Sequence, residues 1–207
     1  MVGPPGTGKT MLASRLPGIL PRLTEQESLE VTSMHSVAGA VDPSHGLITR
    51  PAFQSPHHTA TPVAIVGGGS GMPRPGAVSL AHRGVMFMDE APEFSPRVLQ
   101  TLRQPLERGQ LVISRASASA VFPARFQLVL AANPCPWGNA AGRGERCTCS
   151  SLQVRRYFSR ISGPLLDRID LQIDVLPVTA LDVAERSRAE ATTFVAARVA
   201  HARAAAA

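Results

Sequence analysis

The chain has 207 residues, is 44% hydrophobic and carries a formal net charge of +6. That length suits one domain with a buried core, or a domain with part of another. No apolar run reaches the roughly 18 residues of a membrane span, and three cysteines do not indicate a disulfide framework. We therefore expect a cytoplasmic, globular protein with no membrane partner. The basic charge favours an anionic partner such as nucleic acid, although arginine drift in a GC-rich coding sequence explains it equally well.

The first predicted element is a loop over residues 3–10 followed by a helix over 9–16. Its pattern, Gly-x-x-x-x-Gly-Lys-Thr, is typical of loops that bind the phosphates of ATP. Lys9 is the single lysine among 21 basic residues, and a compact ammonium fits a tight loop better than a guanidinium fork does. We expect Lys9 to bind phosphate and Thr10 to bind Mg²⁺. The predicted ATP-binding residues are Gly3, Pro4, Pro5, Gly6, Thr7, Gly8, Lys9 and Thr10.

The next elements are predicted from caps, breakers and apolar runs. Thr24-x-x-Glu27 is a capping box that predicts a helix over 25–37. The Gly- and Pro-rich stretch 39–61 is expected to be irregular, with at most one short strand. Later elements are a strand over 63–66, a flexible loop over 67–76, a buried strand over 85–88, a helix over 95–109, a hairpin over 111–122, a strand over 127–132, a helix over 150–162, a strand over 171–176 and a helix from about 182 onward.

Because strands alternate with helices, the sequence predicts an α/β fold with a largely parallel sheet, the three-layer arrangement of phosphate-loop NTPases. Ligands of such sheets bind at the carboxyl ends of the strands. Asp89 and Glu90 follow one predicted strand and Asn133 follows the next. We expect Asp89 to hold Mg²⁺, Glu90 to polarise the attacking water and Asn133 to orient it. Each is otherwise an ordinary turn residue.

Several blocks resemble those of AAA+ ATPases. They are the phosphate loop, Ala81-x-x-Gly84-x-x-Phe87-x-Asp89-Glu90, and Asn133 after an apolar strand. More narrowly, the chain is similar to the magnesium-chelatase-like YifB/ComM family. The blocks that carry this second resemblance are Ser55-Pro-His-His-Thr59, Gly67-Gly-Gly69, Pro73-Arg-Pro-Gly76, Asn133-Pro-Cys-Pro136 and Ser162-Gly-Pro-Leu-Leu-Asp-Arg-Ile-Asp170.

The resemblance implies an ATP-hydrolysing motor that forms a homo-hexameric ring and acts on DNA, as in branch migration during natural transformation. It also implies that Arg168 is an arginine finger that enters the neighbouring subunit's site. Arg160 is a second candidate for that role. A salt bridge from Arg168 to Asp167 or Asp170 is the alternative structural explanation.

Two insertions of this family face the central pore, and they correspond here to residues 62–76 and to the hairpin over 111–122. Arg74 and Arg115 are therefore candidates for contact with the DNA backbone. Both are equally well explained as solvated loop arginines.

The cysteines depart from the family pattern, which resembles a four-thiolate zinc knuckle. Trp137 stands where the second cysteine is usual, leaving Cys135, Cys147 and Cys149. Since zinc favours four ligands, free thiols are expected here, with zinc as the alternative. His57 or His58 would supply a fourth ligand only through a tertiary contact, and both are expected to be loop residues.

Only Met1 and Val2 precede Gly3, whereas a phosphate loop normally follows a strand of about five residues. We therefore expect the sequence to be a fragment, or its start to be assigned too late. By resemblance, residues 1–176 would be the AAA+ core, and 177–207 a linker with the first helix of an incomplete lid. The other functions considered are a true magnesium-chelatase ATPase subunit, a regulator like the sigma-54 activators, and an inactive nucleotide-binding remnant.

Overall fold

The computed structural model describes residues 1–42, 44, 46–69, 72–114, 119–138, 147–177 and 190–206. The helices in these ranges are α1 (Lys9–Ile19), α2 (Glu25–Val37), α3 (Pro62–Val66), α4 (Ala77–Leu80), α5 (Pro96–Thr101), α6 (Arg103–Arg108), α7 (Ser151–Phe158), α8 (Gly163–Leu166) and α9 (Thr192–Ala205). The strands are β1 (Phe53–Gln54), β2 (Gly67–Gly68), β3 (Arg74–Pro75), β4 (Val85–Met88), β5 (Gln110–Ser114), β6 (Ser119–Pro123) and β7 (Gln127–Leu130).

A parallel sheet in the order β1, β4, β7 organises the fold. Val85 pairs with Phe53 on one side and with Gln127 on the other. All four residues of β4 are buried, which explains why this apolar run shows no alternation of polar and apolar residues. The predicted α/β fold with a parallel sheet, as in phosphate-loop NTPases, is confirmed.

Two more segments join this sheet through isolated bridges. Val2 bridges both Ala132 and Asp174 in parallel orientation. The Val175 N–H donates to the Val2 carbonyl at 2.7 Å, and the Gly3 N–H donates to the Ala132 carbonyl at 3.1 Å. The predicted strand over 171–176 was therefore too long. A ladder cannot continue there because the neighbouring segment leaves the sheet at Gly3 to begin the phosphate loop.

Capping boxes mark the start of two of the helices. Thr24 accepts a hydrogen bond from the Glu27 N–H, and the Glu27 carboxylate accepts one from the Thr24 N–H at 3.0 Å. The predicted capping box of α2 is thus confirmed. Ser150 and Gln153 form a second capping box at the start of α7.

The prediction of a strand over 63–66 was wrong, because these residues belong to α3. Thr61 caps the first turn of this helix, and Pro62 occupies the first helical position, where its missing N–H costs nothing. Ile65 is fully buried in the main core. Capping and burial of one apolar side chain thus outweigh the β preference of Val63 and Val66.

Within the predicted flexible loop over 67–76, β2 and β3 pair antiparallel, with Gly68 opposite Arg74. A Cβ at Gly67 would lie 2.3 Å from the Arg74 carbonyl oxygen. Glycine at this position therefore permits the close pairing.

The predicted hairpin is confirmed as β5 and β6, in which Leu111 pairs with Phe122. Leu111, Ile113 and Phe122 are buried in the main core, so one face of the hairpin is anchored.

The predicted helix over 95–109 is present as two helices, α5 and α6. The second of them is capped at its C-terminus by Gly109 in a left-handed conformation.

Helix α9 contacts α1. Phe194 on α9 is 67% exposed, and none of the residues of this helix is buried. Within the described ranges, no helix combines the length and the apolar character that crossing a bilayer demands.

Candidate nucleotide-binding site

The phosphate loop connects Val2 to α1. Gly8 adopts a left-handed conformation, with φ of 82°, directly before the first residue of the helix. A Cβ at Gly3 would lie 2.3 Å from the Val175 carbonyl oxygen. The Thr7 hydroxyl donates to the Pro4 carbonyl at 3.0 Å and closes the loop internally. The glycines of the motif thus permit the turn, and they also permit its close approach to the segment of the same chain that contains Val175.

Lys9 lies inside this loop with its side chain turned back on the backbone. Its Nζ donates to the carbonyl oxygens of Gly3 at 2.7 Å and Pro4 at 2.8 Å, and to Asn133 Oδ1 at 3.2 Å. These three acceptors match the three donors of an ammonium group. Burial lowers the pKa of Lys9, while the carboxylates of Asp89 and Glu90 oppose that shift. The loop therefore holds a cation that is bound by neutral oxygen acceptors. An anion would replace them, because hydrogen bonds between charged groups are stronger.

Thr10 and Asp89 bring oxygen ligands to the same edge of the sheet. The Thr10 hydroxyl on α1 donates to Asp89 Oδ2 at 2.6 Å, and Asp89 follows directly after β4. The other carboxylate oxygen accepts from the Glu90 N–H at 3.0 Å. A hydroxyl and a carboxylate in contact are ligands that suit Mg²⁺. The structure thus brings together the two residues that the sequence predicts for the metal.

Glu90 occupies a left-handed conformation, with φ of 51°, at the N-cap of a 3₁₀ turn over Ala91–Glu93. Its carboxylate is exposed and lies 3.1 Å from His58 Nδ1. Left-handed backbone is uncommon outside glycine. Glu90 adopts it directly after Asp89, and its side chain is exposed. A cavity of about 380 Å³ lies beside this pair, lined by Ser55, Pro56, His57, His58, Asp89 and Glu90.

His58 lies in a turn after β1, as the sequence predicts, but its contact with Glu90 was missed by sequence reasoning. Its ring stacks on His57, with 4.1 Å between centroids, and meets the edge of Phe94 at 6.4 Å. The signal was available, because residues 55–58 follow β1 and so lie at the same carboxyl edge as Asp89. The structure thus adds a polar side chain that holds Glu90.

Asn133 follows β7 and the bridge at Ala132. Its side-chain oxygen accepts from Lys9 at 3.2 Å, so it meets the phosphate loop as the strand-end argument predicts. Its backbone is hydrogen bonded to Tyr157 of α7, whose pKa burial raises to about 12. Asn133 is thus held between the loop and a buried, neutral tyrosine.

The two candidate finger arginines pair with glutamates of their own chain. Arg168 contacts Glu107 and the Pro164 carbonyl oxygen. Arg160 contacts Glu93 at 2.9 Å and the Pro92 carbonyl oxygen at 3.2 Å. The pairing of Arg168 with Asp167 or Asp170 that the sequence left open is not the observed one.

Of the two arginines predicted to contact DNA, Arg74 lies on β3 and is exposed. Arg115 lies outside the described residues.

The three cysteines converge, with their sulfur atoms within 4.8 Å of one another.

Comparison with known proteins shows the family to which the chain belongs. The sequence profile of the family described as magnesium chelatase, subunit ChlI, matches residues 1–183. The chain belongs to this family. An uncharacterised protein of Mycobacterium tuberculosis H37Rv is 54% identical over 209 residues, which cover 100% of the chain and 41% of that relative.

Two other relatives carry the names of the narrower YifB/ComM group. YifB of Salmonella typhimurium is 48% identical over 200 residues, covering 96% of the chain and 39% of the relative. The competence protein ComM of Haemophilus influenzae is 53% identical over 174 residues, covering 84% and 33%. The chain is thus a YifB/ComM-like member of the ChlI family, a class of AAA+ ATPases, and spans less than half the length of these relatives.

Proposed function

We propose that this protein binds ATP with Mg²⁺ and hydrolyses it as one subunit of a ring-shaped motor that acts on DNA. The observation that supports this most directly is the convergence of the phosphate loop, Asp89, Glu90 and Asn133 at one edge of the parallel sheet. These groups come from three separate stretches of the chain, and each matches a role that phosphoryl transfer requires.

The roles follow from the contacts. Lys9 would exchange its carbonyl partners for phosphate oxygens, while Thr10 and Asp89 would hold Mg²⁺, which neutralises charge on the phosphates when bound. Glu90 would accept the proton of an attacking water, and Asn133 would orient that water. His58 holds the Glu90 carboxylate at 3.1 Å.

We place Arg168 in the neighbouring subunit's site. It lies beside Glu107 with a side chain that is 31% exposed, so a second copy of the chain would reach it without unfolding. An arginine supplied from a neighbouring chain typically raises the hydrolysis rate roughly 10³–10⁵-fold. A closed ring, with a homo-hexamer as the expected form, is the arrangement that gives every subunit such a neighbour.

DNA is the proposed substrate of the motor for two reasons. The net charge of +6 exceeds what a nucleotide alone requires, and one relative is named a competence protein. Arg74 is exposed on β3 and would contact the phosphate backbone.

The test is ATP hydrolysis by the protein at low salt, with and without branched or single-stranded DNA. We expect DNA to stimulate the rate, and Glu90→Gln to lower hydrolysis roughly 10²–10⁴-fold while ATP binding is retained. An unchanged rate with DNA would remove the support for a DNA motor. Loss of ATP binding in Glu90→Gln would show that Glu90 has a structural role instead.

A true magnesium-chelatase ATPase subunit is the second candidate, because the matched family is described by that activity. Such a subunit would use the same nucleotide-binding residues as the proposed DNA motor. The two functions differ in the process to which ATP hydrolysis is coupled. ATP-dependent insertion of Mg²⁺ into a porphyrin by the protein with its partner subunits, without stimulation by DNA, would favour it.

A further inference from the structure

Cys135 is separated along the chain from the neighbouring pair Cys147 and Cys149, but all three cysteines are adjacent in space. Cys135 lies two residues after Asn133, and Cys147 and Cys149 precede α7. Their sulfur atoms all lie within 4.8 Å of one another, and none of the three forms a disulfide. Cys135 is fully buried, while Cys147 and Cys149 are partly accessible. The cluster is therefore built into the fold and open to solvent on one side.

The spacing fits a shared cation better than a covalent bond. The sulfur atoms of Cys135 and Cys147 are 3.6 Å apart, whereas a disulfide requires about 2.05 Å. Four thiolates at about 2.3 Å from zinc in a tetrahedron lie about 3.8 Å from one another. The observed separation thus resembles an edge of that tetrahedron.

Other potential ligands are engaged elsewhere. His57 binds Thr59 at 2.8 Å, and His58 pairs with Glu90. Among the residues that the structure describes, the group that meets the criteria for a metal site consists of these three thiols. A backbone hydrogen bond from Trp137 reaches the sulfur of Cys149, which is the kind of outer contact that orients a metal ligand.

We propose that Cys135, Cys147 and Cys149 form a three-thiolate site for a thiophilic cation of the zinc class, with solvent as the fourth ligand. On binding, each thiol gives its proton to solvent and its thiolate coordinates the cation. The described residues thus bring three protein ligands to the site, and solvent in the fourth position would exchange. This distinguishes the site from a closed structural zinc centre, which has four protein ligands.

The site lies directly behind the phosphate loop. The Gly138 N–H donates to the Cys135 carbonyl at 2.9 Å and closes a turn. A Cβ at Gly138 would lie 2.7 Å from the ring of Pro5, so this turn packs against the loop. A bound cation would therefore fix the turn that carries Asn133 at one end and contacts Pro5 at the other. This consequence, unlike the metal site itself, rests on the proposed function.

The metal site is tested by titrating the reduced, metal-free protein with Co²⁺ in the absence of nucleotide. We expect thiolate-to-cobalt charge-transfer absorption in the near ultraviolet that saturates at one cobalt per chain and disappears when Zn²⁺ is added. Cys147→Ser and Cys149→Ser remove partly accessible ligands and are expected to lose this absorption. Thr148→Ser, between the two ligands, is the matched control and should retain it.

Circular dichroism of each variant shows whether it has folded. A folded Cys149→Ser variant that keeps the full cobalt spectrum would overturn the proposal, as would a wild-type protein with no charge-transfer absorption. The coupling is measured separately, as the affinity for a fluorescent ATP analogue with Mg²⁺ present, with and without Zn²⁺. Weaker binding without Zn²⁺ is expected, and equal affinity would contradict the coupling while leaving the cobalt result intact.

Discussion

The edge of the sheet that carries the phosphate loop and the region after α7 that carries Arg160 and Arg168 use their charges differently. At the edge, the groups bind one another: Lys9 donates to Asn133, and Thr10 donates to Asp89. After α7, Arg160 is paired with Glu93 and Arg168 with Glu107. The first region brings together the groups that we propose for hydrolysis, and the second holds two arginines that pair with other residues. The difference favours a site divided between two copies of the chain.

Removal of the proposed finger should have the largest effect. Arg168→Ala is expected to lower the rate of ATP hydrolysis roughly 10³–10⁵-fold, because the proposed finger would stabilise transition-state charge in addition to what Lys9 and Mg²⁺ neutralise. ATP binding, measured with a fluorescent analogue, should change little. Arg160→Ala is the matched control, and we expect a loss of less than tenfold. If Arg160→Ala abolished the rate and Arg168→Ala did not, the two roles would be exchanged.

A substitution of Lys9 in the phosphate loop should have the next largest effect on ATP hydrolysis. Lys9→Arg keeps the positive charge, but a guanidinium does not fit where the ammonium meets the Gly3 and Pro4 carbonyls at 2.7 and 2.8 Å. We expect hydrolysis to fall by about 10²-fold or more, as for the loss of one well-placed donor. Arg15→Lys, the reverse exchange on the exposed side of α1, should leave the rate unchanged. Wild-type activity in Lys9→Arg would show that the single lysine has no special role.

The smallest effect is expected at His58, which positions Glu90 without contacting the phosphates. His58→Ala should change kcat by less than about tenfold, equivalent to 1.4 kcal/mol, with the KM for ATP unchanged. His58→Asn, which keeps a polar partner for Glu90, should restore the wild-type value. His57→Ala is the control, since that ring binds Thr59. A changed KM with constant kcat would place His58 in nucleotide binding instead.

The sequence was most informative where local chemistry decides the structure. The capping box of α2, the buried strand β4 and the strand-end positions of Asp89 and Asn133 each follow from a few neighbouring residues. The helix over 62–66 did not, because burial of Ile65 in a core assembled from distant segments outweighed the β preference of its neighbours. Tertiary contacts override intrinsic preference most easily in such short elements.

The missed features of the site are contacts across the fold. The pairing of His58 with Glu90 and that of Arg168 with Glu107 join residues that are far apart in sequence. The convergence of Cys135 with Cys147 and Cys149 depends on how the chain after β7 returns to α7. Residue type and spacing singled out Glu90, Arg168 and the three cysteines, but they identified neither partner, His58 for Glu90 or Glu107 for Arg168.

The most direct test of a divided site mixes two inactive variants, Lys9→Ala and Arg168→Ala. Each should be inactive alone, because every site lacks either its phosphate-binding lysine or its finger. In random mixed rings, about a quarter of the interfaces would join an intact Lys9 to an intact Arg168 from the next subunit. The account predicts that ATP hydrolysis reappears on mixing. A mixture that stays as inactive as its components, although native mass spectrometry shows mixed rings, would contradict it.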